Sequence, residues 1–93
     1  MTFTKSNINF AKKRGIALTI DTESNNVMFF VNGVDEPFLI YLLNGEGTVL
    51  TYHGQVYGDK IEDLPAHITS SKQLNNVIDY LAIAELEAIK NFY

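Results

Sequence analysis

The C-terminal segment constrains the fold more than any other part of the chain. From Ser70 to Tyr93 there is no Gly and no Pro, and the segment opens on Ser70-Ser71-Lys72-Gln73, an S-x-x-Q capping box. So long a run without breakers predicts a helix. At about 100° per residue, Leu74, Val77, Ile78, Leu81, Ala84, Ala88, Ile89 and Phe92 share one stripe, which has to be buried against a second layer. Ile83 and Leu86 fall outside that stripe, among Asn76, Asp79, Glu87 and Lys90. Glu85 falls inside it, where a dry, unpaired carboxylate would be costly. Three readings follow. A bend near Ala82 would turn Ile83, Leu86, Ile89 and Tyr93 toward the core. A straight helix would project its last turns and leave Ile83, Leu86 and Tyr93 as a self-association surface. In the third, these are scattered surface apolar residues.

The second layer is legible upstream as alternation. Ile16, Leu18 and Ile20 alternate with Ala17, Thr19 and Asp21, the period of a strand with one buried face. Val27 to Val31 reads as a second strand with Val27, Phe29 and Val31 on one face and Met28 and Phe30 on the other. Apolar residues on both faces predict a central strand or one covered twice. Asn32-Gly33 marks a turn. Phe38 to Leu43 is apolar throughout and fits either a strand or a two-turn helix bracketed by Pro37 and Gly45; its place between hairpin signals favours the strand. Asn44-Gly45-Glu46-Gly47 leads into a strand from Thr48 to His53, and Gly54-Gln55 reads as a tight turn into Val56-Tyr57. Gly58 to His67 is polar and acidic and reads as a loop with one helical turn around Ile61 to Leu64.

The start of the chain, from Thr4 to Arg14, reads as a short helix capped by Thr4 or Ser6 and closed by Gly15 in the left-handed region. The predicted fold is therefore α+β: a four- or five-stranded antiparallel sheet, a long C-terminal helix across one face, and a short N-terminal helix. A length of 93 residues allows one domain, spanning 1–93. The expected core is Ile16, Leu18, Ile20, Phe29, Val31, Leu39, Tyr41, Leu74, Ile78 and Leu81.

Charge is divided along the chain. There are 7 Lys+Arg and 11 Asp+Glu residues, for a net charge of −4. Lys5, Lys12, Lys13 and Arg14 precede every acid, so the first fourteen residues carry +4 and the rest −8. The basic cluster reads best as cations complementing the dipole at a helix C-terminus, with an anion-binding patch and a frayed basic arm as other readings. The acidic body opposes docking onto nucleic acid, so direct nucleic-acid binding is not expected. It suits instead a protein partner with a basic surface.

The catalytic inventory is thin. With no Cys there is no thiol nucleophile, disulfide scaffold or Cys-based metal centre. His53 and His67 have no metal-ligand spacing, no Ser lies in a nucleophile elbow, and Gly45-Glu46-Gly47 opens a strand instead of a helix. Asp59, Glu62 and Asp63 lack the spacing of a calcium loop. No enzyme activity, cofactor or metal is expected. The Ile16–Ile20 run is too short for a secretory core and nothing approaches a membrane span, so a cytoplasmic protein is expected. The candidate partner-binding residues are Asp35, Glu36, Asp59, Glu62 and Asp63, with Tyr52 and Tyr57 as surface aromatics beside the Gly54 turn.

The plan of a short chain, an antiparallel meander and a polar-capped helix beginning His67-Ile68-Thr69-Ser70-Ser71-Lys72-Gln73 resembles small phage-encoded anti-defence proteins of the anti-CRISPR and anti-restriction type. The likeness is architectural and spans about residues 15–90. It implies a non-catalytic inhibitor that blocks a host nucleic-acid-handling complex by surface contact, in some cases as a dimer. It identifies no functional residue. Lys12-Lys13-Arg14 and the modest net charge depart from DNA mimicry and favour surface blocking. The alternative is a structural or assembly subunit of a phage or mobile element acting as a homo-oligomer.

Overall fold

The computed structural model describes residues 5–21, 23–55 and 64–91. The chain runs α1 (Lys5–Lys12), β1 (Ile16–Asp21), β2 (Asn26–Val31), β3 (Pro37–Leu43), β4 (Leu50–Gln55), β5 (His67–Ile68), α2 (Ser71–Tyr80), a π-helical turn (Leu81–Glu85) and α3 (Leu86–Lys90). The strands form one antiparallel meander in the order β1-β2-β3-β4-β5. The expected α+β architecture is present, and Pro37–Leu43 is a strand.

Alternation sets which face is buried. Ile16, Leu18, Val27, Phe29, Val31, Leu39, Tyr41, Leu50 and Ile68 all point to the helix side and are buried, and Leu74, Val77, Ile78 and Leu81 meet them. Ile20 packs at the margin of this core. Phe29 stands at its centre, with ring centroids 6.4 Å from Phe38 and 6.0 Å from Tyr41. Phe38 and Leu39 are neighbours yet both fully buried. A bulge explains this: Phe29 pairs with Leu39 and Phe30 with Pro37, so Phe38 is the extra residue and turns inward.

Gly54 does not form a turn. It pairs with Ile40, and Gln55 pairs with Leu39, so β4 continues where a hairpin was expected. Tyr41 pairs with Tyr52, leaving His53 as the extra residue of a second bulge. A glycine inside a strand pattern marks such an irregularity as readily as it marks a turn. The strand beyond β4 is His67–Ile68, and its first residue, His67, falls at the end of the stretch expected to be loop. The expected Val56-Tyr57 strand, and all but Leu64 of the helical turn around Ile61 to Leu64, lie outside the described residues, as do Thr4 and Phe92.

The last helix begins as its sequence dictates. Ser70 is extended and its hydroxyl accepts from the Gln73 N–H at 3.0 Å. Past Tyr80 the register changes. The π turn takes up one more residue than an α turn, so the buried seam runs Leu74, Val77, Ile78, Leu81 and then Leu86 and Ile89. Ala84 and Ala88, predicted inside, are exposed, and Ile83 is 85% exposed. The change of phase near Ala82 is therefore real, but it buries Leu86 and Ile89 without Ile83. It also moves Glu85 to a half-buried position where its Oε1 accepts from the Tyr80 hydroxyl at 3.3 Å.

Helices α1 and α2 are joined by polar contacts. Asn7, fully buried, donates to Asn75 Oδ1 at 2.9 Å and to the Ser71 carbonyl at 3.3 Å, and accepts from the Ser71 hydroxyl at 3.0 Å. Arg14 donates from Nε to Asp79 Oδ1 at 2.6 Å, with its guanidinium carbon 3.5 Å from the Phe10 ring centroid. Lys12 ends α1 as the dipole argument requires, whereas Arg14 is a tie between helices.

Candidate partner-binding surface

The helices cover one face of the sheet. Side chains on the opposite face are set by the same register: Ala17 opposite Phe30, Thr19 opposite Met28, Met28 opposite Ile40, and Leu42 opposite Asn26 and Thr51. Met28, Phe30 and Ile40 are half-buried, and Leu42 is 36% exposed. Apolar residues on both faces of β2 predicted a central strand or one covered twice, and β2 is central, paired with β1 on one side and β3 on the other. Among the described residues both helices pack on the Phe29 side, and no element of regular structure covers the Met28 side. An antiparallel sheet with one solvated face normally alternates apolar inside with polar outside. Here four apolar side chains form a continuous strip across the middle of the uncovered face.

The rim of this face is charged. Leu43 N–H donates to the Asn25 carbonyl at 2.7 Å, which holds the β1–β2 and β3–β4 turns together and gathers Asp21, Glu23 and Glu46 at one end of the sheet. Asp21 accepts from the Ser24 hydroxyl and the Glu23 N–H, and these bonds hold its carboxyl below the usual carboxylate range. At the opposite end Asp35 and Glu36 are exposed in the β2–β3 turn. That turn adjoins the basic end of α1, because Asn32 N–H donates to the Gly15 carbonyl at 3.0 Å. An apolar centre with a polar, mostly acidic rim is the anatomy of a protein interface.

The predicted site residues separate on this framework. Asp35 and Glu36 stand at the rim. Tyr52 is 37% exposed but lies on the helix-side face of β4, edge-on to Tyr41 with centroids 5.7 Å apart. Burial and the neighbouring Tyr52 push the Tyr41 hydroxyl above the usual tyrosine range, and it donates to the Pro65 carbonyl at 2.8 Å. Tyr57, Asp59, Glu62, Asp63 and Tyr93 lie outside the described residues. Ile83 and Leu86 do not share a surface: Leu86 is 7% exposed and packs beside Gly15, because the π turn rotates it inward. Leu86 is thus a core residue and not a self-association contact.

His53 and His67 are both exposed, and His67 Nδ1 lies 3.2 Å from Thr51 Oγ1 on the uncovered face. Among the described residues no group of three or more His, Asp or Glu side chains is arranged to hold a metal ion. No described helix is long and apolar enough to cross a membrane. A shallow groove on α1 is lined by Ser6, Asn9, Phe10, Lys13 and Arg14, with the Arg14 charge already met by Asp79. Comparison with known protein families, curated proteins and solved structures finds no match to this chain.

The residues that sequence reasoning missed are Met28, Phe30, Ile40 and Leu42 as one strip. Their signal was present as apolar residues at alternate positions of two adjacent strands. The pattern fits a central strand as well as one covered twice, because sequence alone does not say how many helices are available to cover a sheet.

Proposed function

We propose that this chain is a non-catalytic protein-interaction domain that presents the uncovered face of its sheet to another protein. The observation that carries the reading is the Met28–Phe30–Ile40–Leu42 strip, an apolar patch on the face opposite the helices. The acids at the turns suit a partner with an apolar strip flanked by basic residues, since complementary charge speeds docking and fixes its orientation. The narrower form of the reading is a phage-type inhibitor acting in the cytoplasm on a host CRISPR or restriction complex. The acidic body and the architectural resemblance support it.

The test is capture from a bacterial lysate at low and moderate salt. Wild-type chain and an Ile83→Glu control should retain the same protein, and Ile40→Asp and Leu42→Glu should lose it while keeping a native circular dichroism spectrum. Equal retention by all four, or none by the wild type, contradicts the reading. For the narrower form, stoichiometric chain should suppress cleavage by the captured complex; undiminished cleavage contradicts it.

A further inference from the structure

Gly54 is a glycine that the fold does not require. Gly15, Gly33 and Gly47 hold positive φ, and Gly54 does not. It lies inside β4, paired with Ile40, and the extra residue of the bulge beside it is His53. Apart from its chain neighbours, no described atom stands within 4 Å of the place a Cβ would take. A side chain would therefore fit in conformation and in space. A glycine inside a strand weakens it, and often marks a place where another molecule approaches the backbone closely.

Register gives the position of this bare backbone. Met28, Ile40 and Gly54 form one cross-strand row on the uncovered face, and Asn26, Leu42, Thr51 and His67 form the next. Ile40 and Gly54 are half-buried, and Leu42 is 36% exposed. The apolar strip therefore ends at a notch whose floor is the Gly54 backbone. Ile40 stands directly opposite that floor on β3 and Leu42 stands diagonally across from it. From Ile40 the chain leads back through Pro37 to Asp35, which is exposed in the β2–β3 turn.

We propose that the Gly54 notch receives an aromatic side chain of the partner protein, laid flat on the backbone, with a Lys or Arg of the same segment directed at Asp35. The proposal rests on the reading that the uncovered face meets a protein, and names the residue that this face selects. Two observations select the occupant. The floor is strand backbone without a side chain, beside apolar Ile40 and Leu42. A flat ring covers such a surface well, which is how aromatic residues compensate for glycine in sheets. A ring seated in a pocket is also the kind of anchor that dominates protein interfaces. The second observation is charge: the notch lies toward the Asp35 end of the face, so the complementary segment carries a cation on that side.

Titration of the isotope-labelled full chain with N-acetyltryptophanamide, followed by NMR, tests the notch without the partner. A ring stacked on Gly54 should move its Hα resonances upfield in a saturable manner, and N-acetylleucinamide should not. Gly54→Val fills the notch with a residue suited to strands. Its melting temperature should match or exceed that of the wild type, and the tryptophan amide should no longer perturb Ile40. Acetyl-Lys-Gly-Trp-amide should saturate the site at lower concentration than acetyl-Glu-Gly-Trp-amide, and Asp35→Asn should narrow the difference. The proposal is overturned by no upfield shift at Gly54 or by an equal shift from the leucine amide. It is overturned equally by a lowered melting temperature in both Gly54→Val and Gly54→Ala, since glycine would then serve the fold. Peptides of equal affinity overturn its charged part. Lysate capture separates the notch from the reading beneath it, because Leu42→Glu reports on the whole face and Gly54→Val on the notch alone. Retention of the captured protein by Gly54→Val but not by Leu42→Glu overturns the notch and leaves the face in place. Retention by both contradicts the face itself, and loss by both supports the notch.

Discussion

The π turn makes a sharp prediction about which of two apolar residues holds the last helix to the sheet. An unbroken α-helix would set Ala84 and Ala88 against the sheet and leave Leu86 facing away. The structure instead buries Leu86 to 7% exposure and leaves Ile83 at 85%. Truncating a buried leucine to alanine costs about 2–5 kcal/mol, depending on how far the site collapses. A domain of this length has a total stability of about 5–14 kcal/mol at ~0.05–0.15 kcal/mol per residue, so Leu86→Ala consumes a large part of it. At about 4–8 °C per kcal/mol for a domain of this size, the melting temperature should fall by roughly 8–40 °C. Ile83→Ala removes a side chain already in water and should stay within about 0.5 kcal/mol of wild type. Ala88→Leu should be equally mild, whereas in an unbroken helix it would force extra volume into the core. Urea denaturation followed by far-UV circular dichroism measures all three at an unchanged m-value. An Ile83→Ala cost equal to that of Leu86→Ala, or a clearly destabilising Ala88→Leu, would refute the change of register.

Other consequences can be measured on the same footing. Gly15 holds φ at +84°, and an added Cβ would lie 3.3 Å from Leu86 Cδ2. Gly15→Ala should therefore destabilise by about 1–2 kcal/mol from backbone conformation alone. A double-mutant cycle with Leu86→Ala should show that part of any further cost disappears when the leucine is shortened. Ser70→Ala removes the N-cap acceptor and should cost about 1 kcal/mol in a thermal melt. Gln73→Ala removes the bonds to Thr69 and His67 and should destabilise as well in the same melt. Tyr41 has a raised pKa in the folded state, so its stabilising contribution is intact below the ordinary tyrosine range and declines as pH rises above it. Alkaline unfolding should begin there, and Tyr41→Phe should move it to higher pH; an unchanged midpoint would remove Tyr41 as the cause.

Much of this fold was readable because it follows from period. The alternation of Ile16, Leu18 and Ile20, and of Val27, Phe29 and Val31, fixed which side chains face the helices before any pairing was known. The capping box at Ser70 located the start of α2, although the Gln73 side chain bonds Thr69 and His67 and so serves the sheet as well as the helix. Three things were hidden for physical reasons. Gly54 looked like a turn because glycine permits both a turn and a bulge, and only the partner strand decides between them. A constant advance per residue misplaces Leu86, Ala84 and Ala88 because it cannot register one π turn, whereas Ile83 lies outside the buried stripe as that phase requires. The uncovered strip was invisible because Met28 and Phe30 show that a face is apolar and leave open what lies against it. Of the candidate acids, only Asp35 and Glu36 fall in described residues, at one end of the face and not across it.

The claim that this domain binds its partner through the uncovered face is tested most directly by contact mapping. A photoreactive benzoylphenylalanine is placed at Leu42 on that face, or at Ala88 on the exposed side of α3, and each chain is irradiated in bacterial lysate. The account predicts a discrete cross-linked protein from the Leu42 position and none from the Ala88 position. Cross-linking from Ala88 alone, or equal products from both positions, would contradict it.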